Sequence, residues 1–285
     1  MERKTKIIAT VGPSLASESK INNIIDAGAN VLRINFSHGT LDDHKNVIEW
    51  ARNSKKQVAI MQDIQGPKIR TGISTKNTVL EKSKKVALTS IETESNQDIV
   101  FINYENLFAD VNIGDRVFID DGQIVLKVVE KEDDKLIALI LIGGELRNNQ
   151  GVAFPDSKLS VTAITEQDKE HLEFGSKYDV DFVAVSFVRN AADVNLVKEL
   201  IPSDVKVIAK IELKTALDNI EEILDVSDGV MVARGDLGVQ LPIEQVPFVQ
   251  KKILDAANKK GKFSITATEM LQSMKTAYRP TRAEV

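Results

Sequence analysis

The feature that most constrains the fold is a regular alternation between short apolar runs, rich in β-branched residues, and longer stretches with helical periodicity. The runs carry near-continuous apolar residues, as strands that are buried on both faces do. Such an alternation is typical of a parallel sheet covered by helices. We predict strands at seven places: 6–11, 31–36, 58–63, 181–186, 205–211, 229–233 and 263–268.

The stretches between these strands carry the signals of helix boundaries. A helical stretch follows Ser17, and Thr165 is placed to cap a helix that ends near Gly175. Pro242 suits a first helical turn, and apolar residues then recur at helical spacing. We therefore predict a helix in each of these three places.

Residues 72–157 break the alternation, because helical periodicity is weak there and Gly, Asp and Asn turns separate short runs. We interpret these runs as antiparallel hairpins of an inserted all-β domain, entered after the third strand and left before the fourth. The remaining segments, 1–71 and 158–285, are then two parts of one α/β domain. The runs lie at 98–102, 116–119, 124–129 and 136–142.

Seven parallel strands leave two fold classes open. A doubly wound sheet can stop at seven, whereas a (β/α)8 TIM-type barrel would lack its last strand. Residues 279–285 have the pattern of a further helix that is just beginning. Both classes predict helices on the faces of a parallel sheet.

Charge and composition argue against several function classes. The net charge is −5 at pH 7, whereas nucleic-acid binding normally needs a basic surface. The absence of cysteine excludes disulfides and thiolate metal ligands, and three histidines make a poor basis for a histidine-rich metal site. The first apolar run, 7–11, is too short for a signal peptide or a membrane span. We therefore expect a cytoplasmic protein without nucleic-acid or membrane partners.

The carboxyl ends of the predicted strands collect the residues that could carry chemistry. In a barrel, catalytic residues lie at these ends. Arginine and lysine beside carboxylates suit a phosphate-bearing substrate whose charge is shared with a divalent cation, the mixture that phosphoryl transfer needs. The residues at these ends include Arg33, Asn35, Ser37, His38, Asp63, Lys68, Arg70, Lys210, Glu212, Arg234, Asp236 and Thr268.

Each of these residues also has a simpler interpretation. A single arginine or lysine at a strand end is as often a solvated surface charge. Lys210 and Glu212 face the same side of a strand and could form a surface ion pair. The glycines beside Asp236 could be present merely to form a loop. The functional interpretation gains because the pattern recurs at successive strand ends.

Several motifs, taken together and in order, resemble the pyruvate kinase family over nearly the whole chain. One of them is Arg-Ile-Asn-Phe-Ser-His-Gly at 33–39, and the set is specific as a whole although no single motif is. The others lie at 4–7, 12–14, 63–72, 120–122, 185–189, 210–212, 231–238, 266–274 and 279–285.

This resemblance implies a fold and an activity. The fold is a (β/α)8 barrel with a small β-domain inserted after the third strand. The activity is metal-assisted phosphoryl transfer from phosphoenolpyruvate to ADP, giving pyruvate and ATP. Family members continue through an eighth strand and a C-terminal regulatory domain and form homo-oligomers, so we interpret this chain as C-terminally truncated.

The resemblance also implies residue roles. Glu212 and Asp236 would hold Mg²⁺ or Mn²⁺, and Lys210 would neutralise charge on the transferring phosphoryl group. Thr268 would lie at the carbon end of the enolate. The backbone amides of Gly235 and Asp236 would hold the substrate carboxylate.

Further residues match the nucleotide and phosphate contacts of the family. Arg33 and Arg70 would contact phosphates of the nucleotide and the substrate, and His38 falls in the loop on the nucleotide side.

The monovalent-cation site of the family is altered in this chain. Asn35, Ser37 and Asp63 match its ligands, but Ile64 and Lys68 stand where potassium-dependent members carry Thr and Glu. An ammonium group can supply the positive charge that K⁺ would otherwise provide. We therefore expect that K⁺ is not required.

Two alternatives stay open at this stage. One is a metal-dependent enolpyruvate or pyruvate aldolase of the same barrel type, although such enzymes generally lack the inserted domain and the 35–39 loop. The other is an inactive fragment, because a displacement of about 1 Å in a catalytic site can cost a hundredfold in rate.

Overall fold

The computed structural model describes residues 4–268, 270–282 and 284. Its first segment alternates strands and helices. In chain order these are β1 (Ile8–Val11), α1 (Glu18–Asp26), β2 (Val31–Asn35), α2 (Leu41–Arg52) and β3 (Ala59–Ile64), with a short 3₁₀ helix at Pro13–Leu15.

The middle segment consists mainly of strands. They are β4 (Val79–Leu80), β5 (Lys85–Thr89), β6 (Ile99–Phe101), β7 (Arg116–Ile119), β8 (Ile124–Glu132), β9 (Lys135–Ile142), β10 (Gly144–Glu145) and β11 (Val152–Ala153). One short helix, α3 (Leu107–Asp110), lies between β6 and β7.

The last segment returns to alternation. It contains α4 (Glu166–Lys177), β12 (Phe182–Val185), α5 (Ala191–Leu200), β13 (Lys206–Ile211), α6 (Lys214–Asp218), α7 (Ile220–Val226), β14 (Gly229–Ala233), α8 (Arg234–Gln240), α9 (Val246–Lys259) and β15 (Phe263–Ala267). Further 3₁₀ turns occur at Ile243–Gln245 and Gln272–Lys275.

One parallel sheet contains all seven strands that the alternation predicts. Its order is β1-β2-β3-β12-β13-β14-β15, and every end lies within two residues of the prediction. The α/β class with a parallel sheet is therefore confirmed. The order also shows that β12 pairs with β3, so the chain between them leaves the sheet and returns to its edge.

The register of this sheet is set where its strands begin. Asp181, just before β12, accepts a hydrogen bond from the N–H of Ile60 at 2.7 Å. Asp228, just before β14, accepts one from the N–H of Val207 at 2.9 Å, and Asn30 plays the same part before β2. Because a shift of one residue would turn every side chain to the other face, these contacts also fix which residues reach the carboxyl ends.

The helix signals in the sequence are largely confirmed. Thr165 caps α4 through a capping box, in which its hydroxyl accepts from the N–H of Asp168 and the Asp168 carboxylate accepts from the N–H of Thr165. Pro242 was expected in a first helical turn, but its ψ of 128° is not helical; it is the N-cap of the 3₁₀ turn Ile243–Gln245, and α9 begins at Val246. The proline that enters α9 is Pro247, whose missing N–H costs nothing in the first turn.

Two sequence-based interpretations of local structure differ from what the chain adopts. The glycines beside Asp236 lie in helix α8, so they do not form a loop. Residues 279–285 were expected to begin a helix; positions 283 and 285 lie outside the described residues, and the described remainder of the segment holds no helix.

A second sheet occupies the middle segment, in the order β11-β7-β8-β9-β5-β6, and β4 pairs separately with β10. The expected antiparallel pairing holds for β7 with β8 and for β8 with β9. It is wrong for the run at 98–102, because β6 pairs in parallel with β5, a strand not predicted from the sequence; the connection at 90–98 is long enough to carry the chain back to the starting end. This sheet has its own buried core, which includes Val86, Leu88, Val117, Leu126, Leu136 and Ile140.

By contacts the chain divides into two compact units. The first consists of residues 1–66, 163–233 and 250–267, and the second of residues 67–162, 234–249 and 268–285. The parallel sheet lies in the first unit, and the second sheet lies in the second. The domain boundaries proposed from the sequence, at 71/72 and 157/158, stay a prediction.

In the part of the chain that is described, no helix combines the length and the apolar character needed to cross a membrane.

Candidate active site

Lys210 is the centre of a buried charge cluster in the first unit. Its ammonium lies 3.0 Å from Oε1 of Glu212 and 3.1 Å from Oδ1 of Asp63, and it donates to Oγ of Ser186 at 2.7 Å. Burial alone would lower the pKa of Lys210, but the negative charges of Glu212 and Asp63 outweigh it and hold this pKa above its ordinary value. The two carboxylates therefore favour the charged form of Lys210.

Asp63 joins this lysine to Arg33. Nε of Arg33 donates to Oδ2 of Asp63 at 2.7 Å, and a second guanidinium nitrogen donates to Oγ1 of Thr10 at 3.0 Å. Each oxygen of the Asp63 carboxylate thus faces one cation. The contact exists because β2 and β3 are paired neighbours in the sheet, with Asn35 opposite Asp63.

Glu212 directly follows β13, and its carboxylate is held at both oxygens. Oε1 pairs with Lys210, and Oε2 accepts the backbone N–H of Phe187 at 2.7 Å. Only 2% of the Glu212 side chain is exposed. The carboxylate is therefore buried and oriented in advance by Lys210 and by the N–H of Phe187.

The loop after β2 is folded by local hydrogen bonds. Oδ1 of Asn35 accepts the N–H of Ser37 at 3.1 Å, and the carbonyl of Asn35 accepts the N–H of His38 at 3.3 Å. Phe36 is buried between them, whereas His38 is exposed. These contacts hold the loop at the carboxyl end of β2.

In the second unit, Thr268 and the start of α8 are tied together. The N–H of Gly235 donates to Oγ1 of Thr268 at 2.9 Å, and the guanidinium of Arg234 donates to the Thr268 carbonyl at 2.7 Å. Asp236 lies in the first turn of α8 and is exposed. Thr268 has a positive φ of 63°, a strained conformation that these contacts support.

Arg70 and Lys68 also lie in the second unit. The guanidinium of Arg70 donates to the carbonyl of Asn149 at 2.7 Å, and its backbone N–H donates to Oδ1 of Asn103 at 2.6 Å. Lys68 is exposed. Both residues lie in the segment that follows β3, which ends at Ile64.

The site residues predicted from the sequence thus fall into two groups. Within the first unit, Arg33, Asp63, Lys210 and Glu212 form one contiguous network. Within the second unit, Gly235 and Thr268 are in contact, and the contacts recorded for Arg70 are to other residues.

Two contact residues were missed as members of the site. Ser186 and Phe187 directly follow β12 and touch the Lys210–Glu212 pair. The available signal was their position at the carboxyl end of the fourth predicted strand, within the motif at 185–189.

The carboxylates of this region suit a divalent cation that is bound by few protein ligands. The described residues contain no group of three or more His, Asp or Glu side chains that could hold a metal. Mg²⁺ commonly takes only one or two carboxylates and completes its shell with water and substrate phosphates. An oriented, buried carboxylate such as that of Glu212 fits this coordination.

Comparison with known proteins gives a consistent result. The family described as pyruvate kinase, barrel domain, matches residues 2–285. A pyruvate kinase of Staphylococcus aureus is 44% identical over 292 residues, which cover 99% of this chain and 50% of that relative. A pyruvate kinase of Staphylococcus epidermidis gives the same values. This chain thus spans about half the length of the curated relatives that it matches, and it belongs to the pyruvate kinase barrel-domain family.

Proposed function

We propose that this chain carries out the pyruvate kinase reaction, the transfer of a phosphoryl group from phosphoenolpyruvate to ADP. The observation that carries the proposal is the buried Lys210 ammonium, held between the carboxylates of Asp63 and Glu212 with Arg33 beside them. Phosphoryl transfer is catalysed mainly by positioning and by stabilising charge, and a fixed cation of this kind supplies both.

Glu212 and Asp236 are the proposed ligands of Mg²⁺ or Mn²⁺. When bound, the metal ion would offset negative charge on the enolpyruvate oxygen and on the transferring phosphoryl group. Glu212 is suited to this task because Lys210 and the N–H of Phe187 already orient its carboxylate. Asp236 is exposed in the first turn of α8, where the helix dipole stabilises a negative charge.

Lys210 is the proposed residue that neutralises the phosphoryl group during transfer. Its raised pKa keeps the ammonium charged at neutral pH. Arg33 and Arg70 are proposed to bind phosphate oxygens of substrate and nucleotide, a task that suits the planar guanidinium. His38, exposed in the loop after β2, is the proposed contact on the nucleotide side.

Thr268 and the first amides of α8 are proposed to bind the substrate at its carbon and carboxylate ends. The N–H of Gly235 donates to Oγ1 of Thr268 at 2.9 Å. Binding of a carboxylate by the amides of Gly235 and Asp236 would therefore exchange a neutral acceptor for a charged one, which strengthens the hydrogen bond.

The proposed reaction does not need K⁺. Asn35, Ser37 and Asp63 remain at positions that match the monovalent-cation site, but Ile64 brings no hydroxyl and Lys68 brings a positive charge. Arg33 and Lys210 already neutralise Asp63. A monovalent cation would therefore gain less at this carboxylate than at an unpaired one.

The proposed partners are phosphoenolpyruvate and ADP or ATP, without nucleic acid, and the proposed location is the cytoplasm. Self-association, as in full-length members of the family, is part of the same proposal. The net charge of −5 supports the exclusion of nucleic acid.

The proposal is tested by following ATP formation in a luciferase-coupled assay with Mg²⁺, phosphoenolpyruvate and ADP. We expect ATP formation by the chain and its loss in Lys210→Met and Glu212→Gln. A thermal melt with Mn²⁺ and phosphoenolpyruvate reports binding separately, and we expect an upward shift that Glu212→Gln abolishes. The proposal would be refuted if a chain that melts cooperatively showed no ATP formation and no upward shift in the melt.

A further inference from the structure

Two consecutive residues at the end of β12 contact both members of the Lys210–Glu212 pair. Oγ of Ser186 accepts from the Lys210 ammonium at 2.7 Å. The backbone N–H of Phe187 donates to Oε2 of Glu212, also at 2.7 Å. One short turn therefore touches the cation with a side chain and the anion with its main chain.

The surroundings of the Ser186 hydroxyl favour the orientation that accepts from Lys210. Its single proton has a near acceptor, the carbonyl of Ile64 at 2.7 Å, and a more distant one, Oδ1 of Asp63 at 3.5 Å. Donation to either leaves a lone pair for Lys210. The Ser186 residue is only 3% exposed, which leaves little room for water to replace it.

Ser186 completes the hydrogen bonding of the lysine. An ammonium group has three protons, and Lys210 has three acceptors: Asp63, Glu212 and Ser186. Three acceptors on three sides fix the position of the nitrogen, whereas the two carboxylates alone would leave it free to swing about the line between them. Ser186 is the uncharged acceptor of the three, so it helps to orient the Lys210 ammonium without changing the charge of the cluster.

The turn that holds Ser186 is itself supported. Phe187 has a positive φ of 54°, unusual for a bulky residue. Gly66 packs against the turn so closely that an added Cβ would lie 3.3 Å from both the Phe187 ring and the Ser186 carbonyl. The N–H of Gly66 in turn donates to Oδ1 of Asp168 at 3.2 Å. A strained backbone that is held on several sides is often found at functional sites.

We infer that Ser186 is a positioning residue: its hydroxyl determines where the Lys210 ammonium lies, while the N–H of Phe187 does the same for the Glu212 carboxylate. The catalytic consequence of this inference rests on the proposed function, whereas the placement itself rests only on the contacts above. A purely structural role, in which Ser186 merely ties β12 to the end of β3, would change stability without changing the environment of Lys210.

The placement is tested by ¹H–¹⁵N correlation spectroscopy of the lysine ammonium groups at low temperature. A buried ammonium with three acceptors exchanges its protons slowly, so we expect a Lys210 signal, identified by its loss in Lys210→Met. Ser186→Ala should accelerate exchange by about tenfold or more, since one proton loses its acceptor, and Ser186→Thr should restore slow exchange.

Ser176→Ala is the matched control, because Ser176 also donates to a backbone carbonyl, that of Leu172 at 2.9 Å. We expect it to leave the Lys210 signal unchanged. An unchanged signal in Ser186→Ala, equal acceleration in both alanine variants, or no protected Lys210 signal in the wild type would overturn the inference. Should Ser186→Ala fail to melt cooperatively, Ser186→Cys, a weaker acceptor, replaces it with the same expected acceleration.

Turnover supplies the second measurement. We expect Ser186→Ala to lower kcat by roughly 10- to 100-fold with little change in KM for phosphoenolpyruvate, because the ammonium acts on the transferring group. Ser186→Thr should recover most of kcat. If this variant restores slow proton exchange at Lys210 but not kcat, the catalytic consequence of the inference is refuted. If the wild type forms no ATP, the proposed function fails, while proton exchange still decides the placement.

Discussion

Lys210 and Glu212, two residues apart at the end of β13, form an ion pair in which Nζ and Oε1 are 3.0 Å apart. The two side chains are only 11% and 2% exposed, so the pair is not a solvated surface contact. Asp63 is a second buried carboxylate at the same ammonium, at 3.1 Å. Removal of the lysine therefore leaves two acidic groups in the interior without their shared cation.

We expect Lys210→Met to lower the free energy of unfolding by about 3–5 kcal/mol, as is usual when one partner of a buried ion pair is removed. Lys206→Met is the control, because Lys206 lies on the same strand with 49% of its side chain exposed, and it should cost less than about 1 kcal/mol. Urea unfolding followed by circular dichroism measures both. Equal losses would contradict the account of the cluster.

Two capping boxes give a matched comparison of burial. Asp43 is the third helical residue in the box of α2 and is exposed. Asp168 has the same place in the box of α4, is only 1% exposed and also accepts the N–H of Gly66. We expect Asp43→Asn to cost about 1 kcal/mol and Asp168→Asn about 2–3 kcal/mol. Chemical unfolding of both variants measures the difference, and equal costs would show that the Gly66 contact adds nothing.

His44 and His171, 7% and 8% exposed, both pack against the ring of Phe36. Burial lowers the pKa of His44, and repulsion from His171 lowers it further. The negative charge of Asp43 partly offsets this lowering. Burial also lowers the pKa of His171, against the opposing effect of Asp168 and Glu170. The folded state thus favours two neutral imidazoles.

Stability should therefore fall as the pH drops below about 7. The histidines of the unfolded chain take up protons first, at the ordinary histidine pKa of 6.5. The free energy of unfolding keeps falling until the pH passes the lowered pKa values of the folded state. The slope should approach about 1.4 kcal/mol per pH unit for each histidine. The double variant of His44→Gln and His171→Gln should flatten the decline, whereas His38→Gln, at an exposed position, should not.

The potassium prediction rests on Lys68 and Ile64, which replace residues of the potassium-dependent pattern. We expect the rate of ATP formation to be the same, within about twofold, in potassium-free buffer and in buffer with K⁺. Lys68→Glu removes the positive charge, and we expect K⁺ to stimulate this variant by about tenfold. Strong K⁺ stimulation of the wild-type chain would contradict the prediction.

Much of the fold could be predicted because its signals are local. A strand such as Val31–Asn35 carries its own apolar composition, and Thr165 with Asp168 carries a complete capping box within four residues. The residues at strand ends follow from this, since neighbouring parallel strands end at one edge of the sheet. Arg33, Asp63, Lys210 and Glu212 are in contact for that reason.

What the sequence could not reveal depends on contacts between distant segments. Helix α8 contains Gly235 and Gly238, which lower helix propensity, but Leu237 is fully buried and anchors it. Likewise, the role of Ser186 depends on an ammonium that lies 24 residues away along the chain. A short turn with a positive φ at Phe187 has no local signal, because a bulky residue is unusual there.

The most direct test of the central claim follows phosphorus itself. Phosphoenolpyruvate, ADP and Mg²⁺ are incubated with the chain, and ³¹P spectra are recorded for the wild type and for Lys210→Met, with Lys206→Met as control. We predict that the phosphoenolpyruvate signal declines as the γ-phosphate signal of ATP grows in equal amount, in the wild type and in Lys206→Met but not in Lys210→Met. Inorganic phosphate in place of ATP, or equal transfer by Lys210→Met, would contradict the account.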